Sequence, residues 1–167
     1  MGLTVMRSRS TLHACIVLLL AGALVGASPS PDRQQANAAV MVPIRLMQFN
    51  TNSGKAWPDG TFAKTQTIID EIPPFRWTGP DAAKTWWSDY GKFAAAHKLA
   101  SPYLTMGTPV SRVITGDSAY IVVPATVQVI ASGKRVSEQG FLTFVVVQTS
   151  YGWSIDTQIW STTKPLH

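Results

Sequence analysis

The chain has 167 residues, 46% of them hydrophobic and 14% charged, with a formal charge of +5. This length and composition give one packed domain and exclude both a two-domain protein and a disordered one. Arg7 and Arg9 are the only charged residues among the first 27, so a chain without that segment carries +3, that is 5 minus 2. The other basic residues form no run longer than Lys134-Arg135, which excludes a nucleic-acid-binding stripe.

Taken in chain order, Arg7 and Arg9 make a positive n-region and Ala14 to Val25 an apolar h-region. That apolar run is shorter than the ~20 residues a membrane span needs. Small residues at Val25-Gly26-Ala27 offer a cleavage site before Ser28. Residues 1–27 therefore read as a signal peptide, and the mature protein is expected to be secreted or periplasmic, without a membrane anchor. Leu12-His13-Ala14-Cys15 is no lipoprotein box, because Cys15 precedes the apolar run instead of ending it. Cys15 is the only cysteine and leaves with the leader, so the mature domain has no disulfide, thiolate or cysteine metal ligand.

Residues 28–37, polar and proline-rich, read as a disordered tether. Asn37 is the expected N-cap of a helix over 38–52, which Pro43 must kink or delay. Its apolar side comprises Met41, Ile44, Leu46, Met47 and Phe49, and Asn50 to Gly54 ends it. Trp57 to Gly60 is a turn, Thr61 to Lys64 a short helical turn, and Thr65 to Ile72 a strand stopped by Pro73-Pro74. Phe75 to Trp77 is extended. Pro80 then opens a helix that runs to about Leu99, with Asp81 at its positive end and Trp86, Tyr90, Phe93 and His97 on one face.

Beyond this point the pattern is strand and turn. Tyr103–Thr115, Ala119–Ala131, Arg135–Gln148 and Trp153–Thr162 are expected to form an antiparallel meander joined by hairpin turns. Residues 163–167 are a tail. Elements in this order give an α+β domain over 38–162, with about three helices on one face of a curved antiparallel sheet.

The stretch from Ile68 through Asp70, Pro73-Pro74, Trp77 and Gly79, followed by Asp81-Ala82 and Trp86, resembles the SnoaL-like and ketosteroid isomerase branches of the nuclear transport factor 2-like superfamily. In that family a strand ending in an acid leads through a proline-containing loop to the glycine that opens the third helix. The closing Gly152–Trp160 strand is similar as well. The resemblance implies a cone-shaped fold around a pocket and places the isomerase base on Asp70. The isomerases' oxyanion hole is not matched: Leu46 and Met47 stand where the family has a tyrosine, and Leu142 to Val145 contain no acid. The hole stabilises the developing enolate, so steroid isomerisation is not implied.

Asp70 is a candidate base, since a carboxylate in an apolar cavity gains basicity. The alternative is a strand-end carboxylate bound to backbone or to Arg76. His97 is a candidate proton shuttle with Tyr90 assisting, or else a group that compensates the helix dipole. Trp57, Trp77, Trp86, Tyr103 and Trp160 are candidates for a ligand-binding wall, although packing and a dimer interface use the same residue types. In the last strand Asp156, Gln158 and Trp160 share one parity, a polar and aromatic face suited to a homodimer. No nucleotide, dinucleotide, serine-hydrolase or zinc-protease signature occurs, so no cofactor or metal is expected. The sequence thus points to an exported domain that holds a small apolar molecule, with cofactor-free proton transfer or hydration/dehydration as its candidate chemistry. The alternative is a non-enzymatic dimeric interaction module.

Overall fold

The structure is a computed structural model and describes residues 30–163. The expected signal peptide with Cys15, residues 28–29 and residues 164–167 lie outside the described residues. Three helices and seven strands follow in the order α1 (Pro31–Ala39), α2 (Val42–Ser53), β1 (Phe62–Ile69), β2 (Arg76–Gly79), α3 (Ala82–Ala96), β3 (Leu99–Met106), β4 (Ser111–Thr115), β5 (Ser118–Ala131), β6 (Lys134–Thr149) and β7 (Gly152–Thr162). The sheet runs β2-β1-β7-β6-β5-β3, and β4 pairs with the other half of β5. Among the described residues no helix is long and apolar enough to cross a membrane.

Several expectations are corrected. Much of the expected tether is helix α1, because Ser30 caps it, Pro31 occupies its first turn and Asp32 complements its positive end. Asn37 is therefore inside a helix and not at the start of one. Pro43 acts as a delayed start: α2 opens at Val42 with Pro43 in its first turn. Gly54 closes α2 at φ 64°, a left-handed position that suits glycine. The segment expected as a helical turn, Thr61 to Lys64, belongs mostly to β1. It is drawn into the sheet by β7, with the Ile155 amide donating to the Thr61 carbonyl at 2.9 Å. That pairing of β1 with β7 is parallel, so the sheet is mixed and not an antiparallel meander. Helix α3 stops before Leu99, whose backbone already pairs with Ala131 in the sheet. The single strand expected over Tyr103–Thr115 is two, β3 and β4, which share β5 as partner.

Two cores hold the layers together. Ile44 and Met47 of α2, with Val40, pack on Ile121, Val123, Phe144, Val146 and Ile155 of the sheet. The other core sets Ala82, Ala83 and Trp86 of α3 on Ile68, Ile72 and Trp77. Trp57 and Phe62 touch both cores, 5.0 Å apart in an edge-on contact.

Three amide side chains fix the helices to the sheet, the simplest being Gln48 of α2, which donates to the Leu104 carbonyl at 3.1 Å. Asp81 caps α3 with no side-chain bond. Gln66 of β1 does this work from outside the helix: its Oε1 accepts from the Ala83 amide at 2.9 Å while its Nε2 donates to the Pro80 carbonyl at 3.0 Å. Asn52 grips β3 as a neighbouring strand would, donating to and accepting from the Leu104 backbone at 2.8 Å each. Gln66→Leu is expected to lower stability by about 1 kcal/mol, the worth of a helix cap, measured as a urea midpoint shift at unchanged slope.

Candidate ligand cavity

Between α2, α3 and the inner face of β3, β5, β6 and β7 lies a cavity of about 710 Å³. Its walls are mainly apolar and aromatic, and its ionisable residues are Asp70, Glu71, Glu138, Tyr90, Tyr103 and His97, with no lysine or arginine.

Asp70 follows β1 directly and is half-buried at the cavity wall. Its Oδ2 accepts from the Trp86 indole N–H at 2.7 Å, and its Oδ1 accepts from the Glu71 amide at 2.7 Å. Burial raises the Asp70 pKa above the usual carboxylate value, and the Trp86 bond offsets part of that rise. The ion pairs among the described residues are Lys84–Asp81 and Lys92–Asp89, so the alternative pairing of Asp70 with Arg76 is not made. Asp70 thus combines both readings weighed for it: it stands at the cavity wall, and its Oδ1 is bound to backbone as the strand-end alternative expected.

Tyr90 faces the same carboxylates. Burial first, then the charges of Asp70 and Glu138, push its phenol up to about 12, so it remains a proton donor at neutral pH. Its ring stacks on Trp87 with centroids 5.3 Å apart. His97 lines the cavity but is exposed. Its Nδ1 lies 2.9 Å from the Phe93 carbonyl and its ring stacks on Phe93 at 4.0 Å. The side chain is thus bound to its own helix and makes no hydrogen bond to Asp70.

The tryptophans divide. Trp86 and Trp160 line the cavity, as does the half-exposed Tyr103. Trp57 does not: it donates to Thr51 Oγ1 at 3.2 Å and stacks behind Trp86. Trp77 does not either. Its indole bonds Asp89 Oδ2 at 3.0 Å and so ties β2 to α3.

Two cavity residues escaped the sequence reading. Glu138, on β6, is buried and faces the cavity. Burial, a hydrogen bond with Glu71 and the charges of Glu71 and Asp70 push its carboxyl up to about 7. Its signal was the alternation Val136, Glu138, Gly140, Leu142, Phe144, Val146, which continues a buried face back to an acid. Gln158 is the other. A bulge at Asp156 shifts the β6–β7 register, so Ile155 and Gln158 both point inward despite opposite parity. Gln158 and Trp160, expected on a dimerising face, therefore line the cavity. Trp160 lies close over Gly140, where a Cβ would sit 2.9 Å from its ring, and donates to Glu71 Oε1 at 3.3 Å. Among the described residues no group of His, Cys, Asp or Glu is arranged to hold a metal ion.

This mixed, unclosed sheet with helices enclosing a cavity has close counterparts among solved structures. A nuclear transport factor 2-like superfamily protein from Salmonella enterica superposes with a TM-score of 0.61 at 14% identity, covering 81% of this chain and 96% of its own. The chain adopts the nuclear transport factor 2-like fold. The Kfla4162 protein of Kribbella flavida matches at TM-score 0.62 and 18% identity, over 80% of this chain and 94% of its own. A type 2 hexachlorocyclohexane dehydrochlorinase (LinA) matches at 0.62 and 9%, over 80% and 88%. No family model and no curated protein matches the sequence. Identities this low establish the nuclear transport factor 2-like fold and leave the activity to the site.

Proposed function

We propose that this protein is exported and binds a small, largely apolar molecule in its cone. The observation that carries the reading is the cavity of about 710 Å³, a size that suits small-molecule sites, with aromatic walls and a few polar groups at fixed positions. Export rests on the leader pattern of Arg7, Arg9 and Ala14 to Val25.

Binding is favoured over catalysis by the direction of the hydrogen bonds. Of the three tryptophans at the wall, Trp86 and Trp160 have their indole N–H groups already committed to Asp70 and Glu71. An enolate or alkoxide forming in the cavity would need such donors free. Proton transfer or hydration/dehydration is the second reading, favoured by the burial that makes Asp70 a stronger base and by the protonated phenol of Tyr90. The name of one structural counterpart, a dehydrochlorinase, is consistent with chemistry of that kind on this fold.

The outer sheet face is the proposed site of a homodimer. Two cross-strand rows there, Ser111-Val122-Thr143-Ile159 and Val113-Tyr120-Val145-Thr157, contain no charge. Val113 and Tyr120 are exposed. Tyr120→Glu is expected to convert a dimer to a monomer in sedimentation equilibrium; a wild type that sediments as a monomer would remove the dimer from the reading.

The binding proposal is tested by titrating 1-naphthol, neutral and apolar, into the mature protein by calorimetry. One saturable site is expected, abolished by Ala131→Trp, which fills the cavity from the β5 wall. Heat that does not saturate, or that Ala131→Trp leaves intact, would count against a cavity site.

A further inference from the structure

The polar groups of the cavity lack a counter-charge. Asp70, Glu71 and Glu138 line it, and no lysine or arginine does. The donors these acids receive are neutral: the Trp86 indole and the Glu71 amide on Asp70, the Trp160 indole on Glu71, and Thr162 on Glu138. Glu138 is only 9% exposed, yet its Oε1 has no hydrogen-bond partner. Gln158 is 3% exposed, and its Oε1 is unpartnered too. Both orphan atoms are acceptors and both residues line the cavity. Buried acceptors without donors cost free energy, so a molecule that fits the cavity gains by bringing donors.

The two acceptors sit at different levels. Gln158 pairs across the ladder with Phe144, whereas Glu138 lies further back on β6, near the Trp160 end. Between them the wall is aromatic, with Trp86, Trp87 and Tyr90 on α3, and aromatic faces attract cations as well as apolar bodies.

We infer that the cavity takes a cationic aromatic amine, whose ammonium meets Glu138 and Glu71 and whose ring carries a second donor toward Gln158. This rests on the reading of the cavity as a ligand site and names the chemical class of the ligand. It accounts for an arrangement that a purely apolar ligand would leave unpaired. The Glu138 pKa of about 7 fits the same picture, since an acid cluster without a cation retains a proton that an ammonium displaces.

The test compares three near-isosteric probes by calorimetry at pH 8 on the mature protein: tryptamine, tryptophol and indole-3-acetate. Tryptamine is expected to bind about ten-fold or more tightly than tryptophol, the worth of a charge-assisted hydrogen bond, with indole-3-acetate weakest. Glu138→Gln is expected to remove that preference, read as the ratio of tryptamine to tryptophol affinity within the same variant. Glu71→Gln, at an exposed residue, does the same in part and guards against a folding defect at the buried one. Tryptophol or indole-3-acetate binding as tightly as tryptamine overturns the cationic ligand and leaves the cavity reading intact. Unchanged preference in both variants overturns it equally. If none of the three probes binds and 1-naphthol also fails, the ligand-site reading falls with it.

Discussion

Trp86→Ala is expected to destabilise the protein by about 3–5 kcal/mol, because it empties the centre of the α3 core and also strips Asp70 of its side-chain donor. The indole is buried among Ile68, Ile72, Ala82 and Ala83, so little can move in to refill the space. It also stacks on Trp57 with ring centroids 6.3 Å apart, and Trp57 touches the other core, so the loss spreads to both. Trp86→Phe separates the two roles. Most of the packing remains while the N–H is gone, and a buried acceptor that loses a donor costs about 1–3 kcal/mol. In that variant the Asp70 pKa should rise further, because the bond that offsets its burial is absent. Urea unfolding of both variants reads the two energies, and the carboxyl carbon shift of Asp70 against pH reads the second effect directly. A Trp86→Phe protein with the wild-type Asp70 titration would show that the indole packs without tuning the acid.

The same residue illustrates how far the sequence could be read. The recurrence of Trp86, Tyr90, Phe93 and His97 placed them on one helix face, and all four line the cavity. Local periodicity carries that information because a helix fixes its own side-chain directions. Asp70 was placed by the resemblance instead, at the end of a strand that leads through prolines to a glycine. Features that depend on distant partners were not legible. The parallel pairing of β1 with β7 joins Phe62 to Ile155, and nothing in either segment announces the other. Once that pairing forms, Thr61 to Lys64 has no freedom to make a helical turn. The bulge at Asp156 is similarly silent, yet it turns Gln158 inward and breaks the alternation on which a dimer face had been assigned. Glu138 was overlooked although its parity matched Leu142, Phe144 and Val146. A strand acid is ordinarily solvated, and only the tertiary packing that closes the cavity makes this one a cavity residue.

That position makes stability depend on pH in an uncommon sense. A carboxyl whose pKa is higher in the folded protein binds more protons there than in the unfolded chain, so folding is favoured when the carboxyl is protonated. For Glu138 the ordinary value is 4.5 and the folded value about 7. Its contribution is fully present below the ordinary value and is lost as pH rises through about 7. Asp70, also raised, acts in the same sense. After allowance for solvent screening, the loss between acid and neutral pH is about 2 kcal/mol. Most paired carboxylates act the opposite way and stabilise as they ionise, so a wild type that weakens toward neutrality is diagnostic. Glu138→Gln, which cannot ionise, should flatten the profile, and urea midpoints measured from pH 4.5 to 8 on both proteins read the difference. Tryptamine should restore stability selectively above pH 7, since only the ionised cluster welcomes its charge. The cluster is thus costly when empty and ionised, and an ammonium is the group that would recover the cost. An identical slope in wild type and Glu138→Gln would mean that the acid titrates as it does in the unfolded chain, and the link between the strained cluster and its ligand would be lost.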